Sequence, residues 1–211
     1  MTNQNTEQFH PPLEQRADDL TKMSDFFSEF MRIQRATQRD GRPETNGEHT
    51  IHEMFIAVVY AAKYHPNLDP GKIALFMLFH DTDEVHVGDV NSLTADSAAL
   101  EQKKRNEAVS REYLRRLFAE DPFVLDIMER YWAMEEPEAK FVWSIEKTGP
   151  SFAHQSDGGD AIRTMGISSR DQYQALDARA IERMAGRAPA DILGLRRILG
   201  ERVMRVAFDT V

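Results

Sequence analysis

The chain of 211 residues carries 35 acidic against 26 basic side chains, a formal net charge of −9, and no cysteine. Disulfides and thiolate metal sites are therefore excluded, and duplex nucleic acid is repelled at long range. A small anionic ligand stays possible, because a local arginine cluster or a metal ion can overrule the global field. Residues 1–15 are polar and lack the apolar core of a signal peptide, and the longest apolar runs, 54–62 and 73–79, are too short for a bilayer. The expectation is a cytoplasmic protein with no membrane partner.

Residues 1–20 read as an arm, with Pro11 and Pro12 blocking an early helix. Ser24 is a suitable N-cap for a helix with Phe26, Phe27, Phe30, Met31 and Ile33 on its inner face. The polar, Gly/Pro-punctuated stretch 39–47 reads as a loop. A second helix is expected over about 49–64, with Ile51, Phe55, Val58 and Val59 as its apolar positions. Asp69 then Pro70 caps and opens a third helix, whose run 73–79 reads as buried helix rather than strand on length and cap. A fourth spans about 96–118, with Leu100, Ala108, Leu114 and Leu117 inward. Pro122 and Pro137 open helices reaching about Met134 and His154, and 155–160 is a linker. Two amphipathic helices near 170–184 and 190–206 follow. No repeat and no alternating run demands a sheet, so the fold class is all-α: a helical bundle over 21–155, with an extension over 156–211 packed on the same domain and suited to homodimer formation.

The stretch His80-Asp81-Thr82-Asp83-Glu84-Val85-His86-Val87-Gly88-Asp89 carries the chemistry. An imidazole and a carboxylate at the end of an apolar helix are costly unless something pairs with them. If the helix continues one turn, Glu84 joins their face, and Gly88 lets Asp89 turn back toward the same place. Two carboxylates and an imidazole converging at a buried helix end suit a divalent cation.

This pattern resembles the HD-domain phosphohydrolases, in particular the small 5′-deoxynucleotidase branch, over about residues 30–154. The resemblance is carried by Arg35 as the arginine ending the first helix, Arg42-Pro43-Glu44 with Gly47-Glu48-His49, the His80-Asp81 motif with Glu84 and Gly88-Asp89, and Ala139-Lys140-Phe141-Val142 with Ile145-Glu146. It implies His49, His80, Asp81 and Glu146 as metal ligands, Glu84 for proton handling with Asp89 beside it, and Arg35 and Asp89 as substrate contacts. Glu146 stands where the family usually has aspartate, with Asp157 or Asp160 as substitutes, and Ala36 and Thr37 stand where the branch carries a tryptophan. The implied cofactor is one divalent transition metal (Mn, Fe, Co, Ni or Zn rather than Mg), as two nitrogen donors favour. The implied activity is removal of the 5′ phosphate from a (deoxy)nucleoside monophosphate by a metal-activated water. Alternatives are a deoxynucleoside triphosphatase, a regulatory module that binds metal or nucleotide without turnover, and a di-iron oxygenase.

Plainer readings stand beside these. His52 and His86 are either second-metal ligands, as the oxygenase needs, or hydrogen-bonded neighbours. His10, His65 and His154 read as ordinary surface or loop residues, and Trp132 and Trp143 as core. The stretch Lys103-Lys104-Arg105 is a solvated helix face or, through Lys103 or Lys104, a contact to a substrate phosphate.

Overall fold

The computed structural model describes residues 11–39, 41–85, 87 and 93–209. Its first helix, α1, runs Leu13–Arg32, starting well ahead of Ser24. Pro12 opens rather than blocks it, because a proline φ of −51° suits a helix entry and the missing N–H is not needed there. Phe26 and Phe30 are buried as expected, whereas Met31 is exposed and Ile33 lies beyond the helix. Phe26 meets Phe27 and Phe118 edge-on at 5.2 and 5.1 Å, which ties α1 to the bundle.

The expected loop is instead a small antiparallel hairpin, β1 over Gln34–Arg39 and β2 over Arg42–Thr45, with Gln38 paired to Pro43 and Arg39 to Arg42. Asp40-Gly41 between the strands is a strong hairpin signal, and Gly41 takes the positive φ of 74° that such a turn needs. The strand period of two puts Arg35 and Thr37 on the buried face.

Helix α2 runs Asn46–Tyr64 behind a capping box, in which Thr45 Oγ1 accepts from the Glu48 amide and the Glu48 carboxylate accepts from the Thr45 amide. Its inner face is not the apolar one: Ile51, Phe55 and Val59 are exposed, while His49, Glu53, Ala57 and Ala61, spaced four apart, are buried. Helix α3, Pro70–Phe79, is helical as the cap implied, with Asp69 Oδ1 accepting from the amides of Gly71 and Lys72. It contributes Ile73, Phe76, Met77 and Phe79 to the main core. A 3-10 turn, Thr82–Glu84, follows instead of a further α-helical turn.

Helix α4, Ser97–Leu117, turns Leu114 inward but leaves Ala108 and Leu117 exposed. Helices α5, Pro122–Ala133, and α6, Pro137–Glu146, open at their prolines. The single helix expected to reach His154 is broken after Glu146: a Cβ on Gly149 would overlap the Glu53 carboxylate, and Pro150 restarts the chain as α7, Pro150–Ser156. A short α8, Asp160–Thr164, precedes α9, Arg170–Met184, and α10, Ala190–Phe208. Met184 and Ile192 enter the main core beside Phe118 and Phe141, while Ile162, Tyr173 and Val203 form a second, smaller cluster. The all-α class holds, apart from the one hairpin. No helix among the described residues is long and apolar enough to cross a membrane.

Candidate metal centre

The capping box fixes the first turn of α2 and so fixes His49, 2% exposed, on its inner face. His80 closes α3, and its Nδ1 lies 2.7 Å from the Met77 carbonyl. A carbonyl only accepts, so Nδ1 carries a proton and Nε2 is the nitrogen left for an ion, which would take the place of any proton there. Asp81 leaves the helix at φ −107°, which swings its carboxylate back over both rings. His80 Nε2 is 3.4 Å from His49 Nε2 and 2.9 Å from Asp81 Oδ2, and His49 Nε2 is 3.7 Å from the same oxygen. Donors about 2.1 Å from one ion sit about 3.0–3.4 Å apart, so this triangle is close to the size a transition metal needs. Among the described residues this trio forms a group able to hold an ion.

Charge in the triangle is strongly directed. Burial pushes the His80 imidazole down, but Asp81 overrides this and raises it to about 9. Burial pushes Asp81 up, and His80 and Arg35 more than reverse that, holding it well below the usual carboxylate range. The site favours positive charge between these groups, and a metal cation supplies it.

Two residues to which the sequence assigned no role brace the site. Glu44 on β2, 2% exposed, has its carboxylate 3.7 Å from His49 Nδ1 and accepts from Thr37 Oγ1 at 2.7 Å. Burial raises its carboxyl, but the nearby His49 ring and the bonds from Arg39 and Thr37 hold it at about 2. Asn46 bridges two site residues: its Oδ1 accepts from Arg35 at 3.0 Å and its Nδ2 donates to Glu84 at 3.1 Å. Arg42-Pro43-Glu44 was visible as a motif, but its strand geometry was not.

Arg35 sits on β1 rather than at a helix end, and its Nη1 donates to Asp81 at 2.7 Å and reaches Glu84 at 3.5 Å. Glu84, 3% exposed, also has Lys103 Nζ 3.4 Å away. Glu146 lines the same pocket of about 730 Å³, with Lys147 Nζ 2.8 Å from one carboxylate oxygen and 3.1 Å from the other. Burial raises Glu146, and Lys147 chiefly brings it below its ordinary value. Lys104 lines the pocket edge, exposed and bound to Glu101 at 2.7 Å. Asp89, His86 and Gly88 lie outside the described residues. His52 faces Glu53 at 3.3 Å rather than the donor triangle, and His65 pairs with Asp191 at 2.8 Å. His154 is not a surface residue: it is 3% exposed and lines the pocket, as do Trp132 and Trp143.

A protein-family model described as HD domain matches residues 29–186. The fold is similar to the crystal structure of a predicted metal-dependent phosphohydrolase from Magnetospirillum magnetotacticum MS-1, with a TM-score of 0.70 and 21% identity, covering 92% of this chain and 96% of that one. It is also similar to the PH0347 protein from Pyrococcus horikoshii OT3, with a TM-score of 0.57 and 19% identity over 87% of this chain and 99% of that one. No curated protein matches.

Proposed function

The chain belongs to the HD-domain family, and from that premise we propose that it is a metal-dependent phosphohydrolase that removes the 5′ phosphate from small nucleotides, nucleoside monophosphates being the simplest. The observation that carries the proposal is the triangle of His49, His80 and Asp81, whose facing donor atoms lie 2.9–3.7 Å apart at one end of a pocket lined by cationic side chains. These three residues would hold the metal, and Glu146, outside that close group, would be its fourth ligand. Two imidazoles select Mn, Fe, Co, Ni or Zn over Mg. When bound, the metal supplies Lewis acidity toward a phosphate oxygen and the attacking water.

The remaining steps belong to this chain's own side chains. Glu84, hydrogen-bonded by Asn46, takes the proton of the attacking water and returns it to the departing 5′ oxygen, so that nucleoside and inorganic phosphate leave. Arg35 and Lys103 share the Glu84 side of the pocket, where their charges meet the phosphate oxygens and stabilise charge as the ester breaks. Lys104 and Asp89 complete the proposed substrate contacts. A purely structural metal site has no use for the buried Glu84–Asn46–Arg35 set, which favours turnover over a binding module.

Phosphate release from nucleoside mono-, di- and triphosphates, assayed on chelator-stripped protein refilled with Mn, Co, Zn or Mg, tests the proposal. Release of inorganic phosphate with Mn or Co supports it. No phosphate or pyrophosphate from any substrate with any of these metals would overturn it.

A further inference from the structure

The pocket has a second wall, made by the C-terminal helices, that the metal chemistry does not use. The carboxylates lining the pocket, Asp81, Asp83, Glu84, Glu101, Glu107 and Glu146, all come from residues 81–146. From residue 150 onward the described lining contains no carboxylate and three arginines, Arg183, Arg187 and Arg196. The lining from residue 150 onward is therefore positive, whereas residues 35–147 mix those carboxylates with Arg35, Lys103, Lys104, Arg111 and Lys147, in a protein whose overall charge is −9.

Two of these arginines are placed by neighbours that the structure shows. Arg196, 5% exposed, pairs with buried Asp177 and donates to Ser151 Oγ. Gly200 lacks a Cβ where the Asp177 carboxylate sits, so the pair is built into the contact between α9 and α10. Arg187 lies over the Trp143 ring at 4.9 Å and pairs with no carboxylate among the described residues. Packed on an indole and exposed, this guanidinium keeps donors available for an anion. Trp143 precedes Glu146 by three positions and Lys147 by four on α6, so it shares their helix face at a separation of roughly 5–6 Å. Arg187 therefore packs on the helix that ends in Glu146. His154, buried with its Nδ1 unpartnered, adds a polar group to the same wall.

We infer that Arg183, Arg187 and Arg196 form a subsite for a second phosphate group, so that the favoured substrates are nucleotides carrying another phosphate besides the one that is cleaved. The inference rests on the phosphohydrolase reading for the metal end. A 5′-di- or triphosphate and a 3′,5′-bisphosphate share the required chemistry.

The test uses the full chain loaded with Mn and bearing Glu84→Gln, which is expected to bind without turnover. Calorimetry reads the dissociation constants of 5′-monophosphates, 5′-diphosphates and 3′,5′-bisphosphates of the common nucleosides. The second phosphate should tighten binding at least tenfold, and adding Arg187→Met should shrink that gap by about tenfold, as loss of a charge-assisted contact does. Arg183 and Arg187 are exposed, so their variants keep the fold, which circular dichroism checks. Whichever two-phosphate class binds tighter identifies where the second group is attached. Equal affinity for one- and two-phosphate nucleotides overturns the subsite, as does a gap that survives in the Arg183→Met/Arg187→Met double variant. Absence of hydrolysis by the parent protein, with the affinity gap intact, would instead sink the phosphohydrolase reading and leave the subsite standing.

Discussion

His49 Nε2 and His80 Nε2 face each other at 3.4 Å, one from the first turn of α2 and the other from the end of α3. His80 keeps a proton on Nδ1 through the Met77 carbonyl, so Nε2 is the ring nitrogen turned to the gap and left for a metal to bind.

Metal should therefore be lost when this pairing is broken. His80→Ala or Asp81→Ala should reduce bound Mn or Co to background by elemental analysis and abolish turnover, while the helical signal persists. In the parent protein, metal at about 100 times its dissociation constant should add about 2.7 kcal/mol, or roughly 5–10 °C in melting temperature. Full metal occupancy in either variant would mean that the ion sits elsewhere.

His80 and Asp81 were legible as a local motif at the end of an apolar run, whereas His49, on another helix, was reached only through the family resemblance. The helices opened by Pro70, Pro122 and Pro137 were legible for the same local reason. The hairpin was not, since Arg35 and Thr37 alternate inward within a wholly polar stretch that has no hydrophobic signal. On α2 the hydrophobic pattern pointed the wrong way, because polar His49 and Glu53 occupy the inner face and leave Ile51 and Phe55 outside. The arginine wall depends on which helices meet across the pocket, and amphipathic periodicity carries no such information.

Glu84→Gln should separate chemistry from binding. The amide can still accept from Asn46 Nδ2 but cannot take a proton, so metal content should hold while turnover falls by roughly 10²–10⁴-fold. Turnover near the parent value would remove Glu84 from the mechanism.

Glu44 is predicted to act on the metal through His49. Its carboxylate lies 3.7 Å from Nδ1 and orients the ring from behind. Glu44→Gln should weaken metal binding by about 10–100-fold, measured by competition with a chelating dye, with the four-residue strand β2 preserved. Unchanged affinity would reduce Glu44 to a fold residue bonded to Thr37 and Arg39.

His154 gives stability a pH dependence of known sign. Burial, then the Arg196 charge, depresses its imidazole from 6.5 to about 4. The unfolded chain therefore takes up the proton first, and stability present above pH 6.5 is lost as pH falls toward 4. The loss approaches about 3 kcal/mol at the acid end of that window. Glu44, held at about 2 against 4.5 unfolded, adds its own loss from about pH 4.5 downward, at the acid end of that window. Denaturant melts at pH 7.5, 5.5 and 4.5 should show His154→Leu losing less stability with acid than the parent. Parallel curves would mean that His154 carries a proton when folded.

Glu146 and Lys147 pose the last question, because the carboxylate proposed as fourth ligand already has an ammonium 2.8 Å from one oxygen and 3.1 Å from the other. If Glu146 binds the metal directly, Lys147 competes with the ion for the same lone pairs. Lys147→Met should then tighten metal binding by up to about fivefold, the worth of a part-exposed pair of ~1 kcal/mol. Glu146→Ala should loosen the metal without unfolding the chain, since His49, His80 and Asp81 remain. Glu146→Asp should be milder, because the shorter arm leaves Lys147 and still offers an oxygen to the site. The competing account has Glu146 orienting water or substrate. On that account Lys147→Met leaves metal affinity unchanged, and Glu146→Ala lowers turnover with the metal fully retained. Metal affinities of the three variants against the parent, read beside their turnover, distinguish the two, and a metal-bound structure with a Glu146 oxygen beyond about 2.6 Å would exclude direct ligation.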